Sequence, residues 1–319
     1  MKEIGGYFEL DNYNNPMLHE GAIALNCGRN ALAYLIEANN IKKIYLPYFL
    51  CSSVKEVCKK YNIEIQYYNI SADFRPLIDK VDTEAWFYLV NFYGQLNEKI
   101  LQQYINIIPN VILDNAHNYF AAPFKEISTI YTCRKYFGVS DGAFLYTNNK
   151  IKRKLQQDES FERIKFVLGR YERPASEFYK DSVMNNKIFT SEPIKEMSKL
   201  TNNLLHGLNY LEIKEKRTKN YNFLFSKLEK ENALKLRRIS GPYMYPFLPK
   251  DQKKSAYFRK KLLDNKIYIP TLWPNVLEEV PKEWLEWNYA NNILPLPCDQ
   301  RYGENEMAIM VDIIQGKGM

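Results

Sequence analysis

The chain has 319 residues, 46% hydrophobic and 25% charged, with 44 Lys+Arg against 37 Asp+Glu and a formal net charge of +7. That length and balance describe a globular protein of two domains, or of one large domain with an appendage, and exclude a disordered chain. The five cysteines (Cys27, Cys51, Cys58, Cys133, Cys298) fit neither a disulfide framework nor a CxxC metal site. The N-terminus (MKEIGGYFELDNYNN) has no basic region followed by an apolar stretch, and no run approaches the ~18 apolar residues of a membrane helix. These features predict a cytoplasmic protein with reduced thiols and no membrane partner. The basic clusters Lys253-Lys254, Arg259-Lys260-Lys261 and Arg237-Arg238 come without a nucleic-acid-binding motif. Their charge reads as solvated faces, or as help in holding a phosphorylated small molecule.

In chain order, Ala31, Leu32, Leu35 and Ile36 have the spacing of an amphipathic helix over Asn30 to Glu37. A β-rich run, Lys43-IYLPYF, follows; then a helix over Ser52 to Lys60 and a strand at Ile63-EIQYY. Trp86-FYLVNFY and Asn110-VILD read as buried strands flanking a helix over Leu101 to Ile108, and Ile127-STIYT and Ala143-FLYT complete the set. Strands alternating with helical stretches predict βαβ units, hence an α/β fold with a mainly parallel sheet. From Lys150 to about Lys230 the chain is polar and helix-rich. After Leu234 an α+β segment is expected, with strands at Tyr243-MYPFL and Lys266-IYIP and helices at Lys254 to Leu263 and Glu304 to Ile314. The resulting division is residues 1–225, a large domain with its connecting helices, and 226–319, a small C-terminal domain.

Ligands of open parallel sheets bind beyond the carboxyl ends of the strands, and three segments put polar groups there. In Leu25-Asn-Cys-Gly28-Arg29-Asn30-Ala-Leu, a glycine leads into a helix whose first N–H groups can bind phosphate, with Arg29 and Asn30 adding donors. The same glycine can instead serve only the turn, and the segment is neither a GxGxxG nor a Walker A motif. In Val111-Ile-Leu-Asp114-Asn-Ala-His117, a carboxylate ends a strand three residues before a histidine. It can hold a pyridinium proton, a metal or a catalytic histidine, or simply cap the next turn; three histidines in the whole chain make a multi-histidine metal site improbable. In Thr132-Cys-Arg134-Lys135-Tyr-Phe-Gly138-Val-Ser-Asp141-Gly142, a lysine sits beside an arginine after a strand. Shelter and like charge favour its neutral form, which builds Schiff bases; a surface Lys-Arg pair is the alternative. Together, a phosphate cup, an acid and an amine are the three anchors of pyridoxal phosphate.

With these motifs the sequence resembles the DegT/DnrJ/EryC1/StrS group of pyridoxal-phosphate (PLP) aminotransferases. The matching elements, in family order, are Cys-Gly28-Arg29-Asn30-Ala-Leu, Leu-Pro47-Tyr-Phe-Leu-Cys51, Asn91-Phe-Tyr-Gly94, Asp114-Asn-Ala-His117, Arg134-Lys135 through Gly142, and Leu296-Pro-Cys-Asp-Gln-Arg301-Tyr. The resemblance implies a fold-type-I (aspartate aminotransferase-like) enzyme with a mostly parallel seven-stranded sheet and a small C-terminal α+β domain. It implies that Lys135 forms the internal aldimine and shuttles protons. Asp114 would pair with the pyridinium nitrogen and His117 would sit near the ring hydroxyl. Gly28, Arg29 and Asn30 would hold the phosphate, with Thr132 as a further hydroxyl donor. It also implies a homodimer with shared active sites that aminates a nucleotide-linked keto-sugar from an amino acid such as glutamate, as in polysaccharide biosynthesis. The chain departs from the pattern at Arg29, where members carry a hydroxyl residue, at Cys51, where an aromatic stacks on the ring, and at Ala143, where a second glycine is usual. Phe49 is a candidate to supply the missing stack, and Cys51 then borders the cofactor. Rival readings are a PLP-binding protein of the same fold with other chemistry or a regulatory role, and a non-catalytic basic α/β ligand-binding protein. Among other residues, Arg217 is expected to be ion-paired within a charged helix.

Overall fold

The computed structural model describes residues 4–316; residues 1–3 and 317–319 lie outside the described residues. Strand β1 (Ile23–Leu25) leads into helix α1 (Gly28–Asn39), and β2 (Lys43–Pro47) into α2 (Ser52–Lys60). Strand β3 (Glu64–Ile70) turns back through the two-residue β4 (Pro76–Leu77). Next come β5 (Trp86–Val90), α3 (Glu98–Ile107), β6 (Val111–Asp114), β7 (Ser128–Thr132) and β8 (Ala143–Tyr146). The polar stretch forms α4 (Lys165–Glu172), α5 (Tyr179–Ser191), α6 (Lys199–His206) and α7 (Tyr210–Leu228). The last part holds β9 (Met244–Phe247), α8 (Ser255–Asp264), α9 (Val276–Glu279), α10 (Leu285–Asn292), β10 (Leu294–Pro297) and α11 (Glu304–Gln315).

The large sheet has eight strands in the order β4-β3-β2-β5-β6-β7-β8-β1. Strands β3, β2, β5, β6 and β7 are mutually parallel, whereas β8 runs antiparallel to both its neighbours, so β1 again points the same way as β7. The eighth strand, beyond the seven expected, is β4, a short return that pairs with the end of β3 and covers its open edge. The central strands are buried because helices cover both faces: every residue of β6 is buried, including the Asp114 that ends it, as are four of the five in β5. Helix α1 packs its predicted stripe (Ala31, Leu32, Leu35, Ile36) into this core and ends at Asn40 in the left-handed conformation.

This order aligns the carboxyl ends of β1, β2, β3, β5, β6 and β7 along one edge. The chain builds outward from β2 to β3 and β4, then returns to place β5 on the other side of β2. That reversal opens a crevice at the carboxyl edge between the two strands.

A second core joins the end of α7 (Tyr221, Leu224, Leu228) to the β9–β10 pair and to α8 and α11. The expected strand at Lys266-IYIP does not form. Lys266 takes a left-handed φ of 58° at the end of α8, and the run that follows is irregular. Strand β9 pairs instead with β10, which sequence reading missed. Pro246 lies opposite Pro295, and neither can donate to the partner strand, so both fit only where the N–H would point outward. Each proline removes one outward-facing donor from its edge of the ribbon.

A third, aromatic cluster (Tyr119, Tyr131, Tyr136, Phe137, Phe144) lies against β7 and β8. It encloses His19, which stacks on Tyr131 at 4.1 Å. The His19 Nε2–H donates to the carbonyl of Tyr119 at 2.9 Å, which leaves Nδ1 to accept from the Tyr146 hydroxyl at 3.2 Å. Burial lowers the His19 pKa from 6.5 to about 4. The unfolded chain therefore takes up this proton first, and stability falls as pH drops from 6.5 to 4, by about 3 kcal/mol for this residue. Urea unfolding of the wild type should lose more stability across that window than His19→Gln does; parallel curves would show that His19 is not held neutral.

Candidate active site

At the carboxyl edge, a group of half-buried residues sits among fully buried neighbours: Gly28 and Arg29 after β1, Cys51 after β2, Ala116 after β6, and Thr132, Arg134 and Lys135 at and after β7. These half-buried positions lie together at the edge where the carboxyl ends of the parallel strands meet. Five of the eight sequence-predicted site residues (Gly28, Arg29, Cys51, Thr132 and Lys135) are half-buried at this edge, and Asp114 is buried at the end of β6. Asn30 and His117 are buried beneath it.

Asp114 is the last residue of β6, and both its carboxylate oxygens are held. Oδ1 accepts the Ala116 N–H at 2.8 Å and Oδ2 accepts the Tyr88 hydroxyl at 2.9 Å. Burial and the neighbouring carboxylate push the Tyr88 phenol well above its usual pKa, so it remains a donor. Each carboxylate oxygen has a second lone pair, so the orientation is fixed while accepting capacity remains.

Lys135 follows β7 in a loop pinned at its far end. Asp141 accepts the Ser198 N–H at 2.8 Å and the Ser198 hydroxyl at 2.7 Å, and also the Thr201 hydroxyl, tying the loop to the start of α6. Gly142 has φ 111°, and a Cβ there would meet Cys133 and Thr201 at 3.1 Å, so the turn into β8 needs glycine. Burial lowers the Lys135 pKa, opposed chiefly by the negative charge of Asp114 and aided by Arg134. The amine is thus biased toward its nucleophilic neutral form, chiefly by desolvation.

His117 Nδ1 accepts the backbone N–H of Tyr93 at 3.3 Å, which assigns the ring proton to Nε2. Burial, and secondarily Lys135, holds this ring well below the ordinary histidine range, so it is neutral. It lies near-parallel to Trp273 (5.6 Å, 19°) and beside Tyr243 (4.7 Å), whose ring also faces Lys135 Nζ at 5.5 Å. Tyr93 and Trp273 both have left-handed backbones (φ 51° and 55°), a conformation that costs about 1–3 kcal/mol per residue. The Trp273 segment is anchored by the Asn275 amide on the Leu50 carbonyl at 3.0 Å and by a Lys55–Glu279 ion pair.

The N-terminus of α1 is open. Cys27 makes no side-chain cap and the first turn carries no acid, so the helix end presents free N–H groups and a positive dipole. Around it the predicted donors divide. The Asn30 amide is committed to Asn26 Oδ1 (3.0 Å) and the Pro193 carbonyl (2.7 Å). Arg29 donates to the Asn186 carbonyl (3.2 Å) and Thr190 Oγ1 (3.3 Å) on α5, and Arg134 also bonds the Asn186 side chain. Arg134 lies over Phe189 at 4.9 Å, and burial pulls its pKa down to about 10. Cys51 stands at the N-terminus of α2 with its sulfur 2.8 Å from Ser53 Oγ.

Two expectations are corrected. Phe49 is not at the cleft; it is packed in the core against the edge of Trp273 at 4.4 Å. Arg217 makes no ion pair among the described residues and is buried among neutral acceptors. Sequence reasoning also missed Tyr88, Tyr243 and Trp273. Tyr88 was legible only as an apolar strand residue. Nothing in Leu-Trp-Pro marked Trp273, because the local signal pointed to a strand ending at Pro270.

No family model matches the chain, and no curated protein matches it. Solved structures do. The chain is similar to the sugar aminotransferase CalS13 from Micromonospora echinospora (15% identity, 94% of this chain and 88% of that one, TM-score 0.62). It is similar to a DegT/DnrJ/EryC1/StrS aminotransferase from Brucella abortus (14%, 93% and 86%, TM-score 0.58). It is also similar to NtdA from Bacillus subtilis with bound cofactor PMP (12%, 92% and 72%, TM-score 0.65). The chain therefore has the fold of the PLP-dependent aminotransferases over nearly its whole length, in agreement with the motif resemblance.

A cofactor-independent prediction follows from the electrostatics. After reductive 13C-methylation, the NMR signal of Lys135 should titrate below those of the surface lysines. Asp114→Asn should lower it further by removing the charge that favours the ammonium. A rise in that variant would contradict the geometry.

Proposed function

We propose that this protein is a PLP-dependent aminotransferase that moves an amino group from an amino acid, glutamate being the expected donor, to a keto-sugar carried on a nucleotide. The observation that carries the reading is the meeting, at one sheet edge, of a desolvated amine (Lys135), a rigidly held carboxylate (Asp114) and an open helix N-terminus (α1). This donor set fits the aldehyde, the pyridine nitrogen and the phosphate of pyridoxal phosphate. When bound, the cofactor supplies an electron sink that acidifies the Cα–H of the amino donor.

The rest of the chemistry falls to the chain. Lys135 binds the aldehyde and later carries the proton between the substrate and cofactor carbons, a role suited to an amine whose neutral form is favoured. Asp114 keeps the ring nitrogen protonated, oriented by Tyr88 and Ala116. His117, fixed with its proton on Nε2, is a hydrogen-bond donor toward the ring hydroxyl. The α1 N–H groups and Arg29 hold the phosphate. Asn30 shapes that cup from beneath through its bonds to Asn26 and Pro193, and Thr132 lines it. Trp273 and Tyr243 supply aromatic surface that Cys51 lacks. The exposed apolar side chains of α4 and α5 (Leu168, Tyr171, Tyr179, Met184) suit burial against a second copy, in line with a homodimer. The net charge of +7 favours an anionic nucleotide-linked substrate.

The visible spectrum of the purified protein with added pyridoxal phosphate tests this directly. A yellow band that borohydride bleaches, that is lost in Lys135→Ala, and that glutamate converts to the pyridoxamine form is the expected result. A wild type that stays colourless, indistinguishable from Lys135→Ala, would return the protein to the class of ligand-binding proteins on the same fold.

A further inference from the structure

Arg217 stands out as one of the largest fully buried side chains, 1% exposed, in the middle of α7. A buried guanidinium is costly unless every donor is met. The acidic group on the adjoining loop, Asp299, is already engaged at both oxygens by Arg301 Nε and Nη2, at 2.7 and 2.8 Å. Arg217 is satisfied by neutral oxygens instead. Its Nε donates to Gln300 Oε1 at 2.6 Å, Nη1 to the carbonyls of Pro242 (2.8 Å) and Tyr243 (3.4 Å), and Nη2 to the carbonyl of Tyr136 at 3.0 Å. Its plane lies over the Tyr136 ring at 4.5 Å.

These acceptors come from three distant parts of the chain, and two of them adjoin the cleft. Tyr136 is the residue after Lys135, and its carbonyl receives a second donor, Gln300 Nε2, at 2.8 Å. Tyr243 places its ring against both Lys135 Nζ and His117. Just before it, Gly241 takes φ 63° with no room for a Cβ, which would come within 2.5 Å of Phe120. The planar fork of arginine, with donors fixed in direction, can hold the backbone beside Lys135 and the backbone that aims the Tyr243 ring in one geometry. An aliphatic side chain could fill the volume but not fix those directions.

We propose that Arg217 is a positioning residue that sets the placement of Lys135 against Tyr243, with Gln300 as its relay to the Tyr136 carbonyl. The role rests on the reading of Lys135 as the aldehyde-binding amine. Loosening the clamp lets the Lys135 loop relax toward solvent, so the amine both meets the aldehyde in fewer productive orientations and regains its ordinary basicity.

The test measures the rate at which pyridoxal phosphate labels Lys135, trapped by borohydride and read by peptide mass spectrometry, as a function of pH, alongside thermal unfolding. In Arg217→Met, labelling should slow at least tenfold and its half-maximal pH should rise, and Arg217→Lys should recover part of both. An Arg217→Met protein with a lower Tm but wild-type labelling rate and pH midpoint would overturn the proposal, leaving a purely structural residue. If Arg217→Met does not fold, Gln300→Leu keeps the guanidinium and removes the relay: about threefold slower labelling is expected, and unchanged labelling overturns the proposal. A wild type in which Lys135 takes no label, although the chain is folded, instead overturns the proposed function on which this role depends.

Discussion

Keeping a lysine amine away from water at the carboxyl edge of a parallel sheet makes its charged form costly, and the surrounding structure depends on that constraint. The sheet order brings six strand ends to one edge, so that Asp114, at the end of β6, and Lys135, just after the adjacent β7, come together there. Asp114 tempers the desolvation with its charge, while Arg134 adds to it. Neither group is free to drift: the carboxylate is held from both sides by Tyr88 and Ala116, and the lysine loop is tied down by Asp141 at α6. The lowered basicity of the amine results from placement, without any unusual residue type.

The C-terminal third of the chain does more than form a separate small core. It returns to the cleft at three points: Tyr243 beside Lys135, Trp273 beside His117, and Gln300 at the Tyr136 carbonyl. Two of the aromatic residues packed around His117, Tyr93 and Trp273, hold left-handed backbones. Strain of that kind persists only where packing over-determines it. Here the Asn275–Leu50 bond and the Lys55–Glu279 pair supply that anchoring on one side, and the Tyr93–His117 bond supplies it on the other.

The sheet was legible because β5, β6 and β7 are short apolar runs separated by turn and helix signals, and α2 was readable to the residue from its own pattern. Strand β1 was not, since three residues carry no period and its register depends on pairing with β8. The run at Lys266-IYIP has strand composition, yet it pairs with no strand and follows a left-handed Lys266 as irregular chain. The same division holds at the site. Asp114, His117 and Lys135 were visible because their chemistry and their position after strands coincide locally. Arg217 was misread because its surroundings in sequence are charged while its surroundings in space are carbonyl groups, and Phe49 because its depth in the core depends on Trp273, which lies more than two hundred residues away.

The central claim is that Lys135 and Asp114 face opposite ends of one bound pyridine ring at this edge. A crystal structure of the protein soaked with pyridoxal phosphate tests it most directly. Continuous density from Lys135 Nζ into the cofactor, with the ring nitrogen within hydrogen-bond distance of Asp114 and the phosphate at the start of α1, is the predicted result. Cofactor bound elsewhere, or a ring whose nitrogen points away from Asp114, would contradict the account.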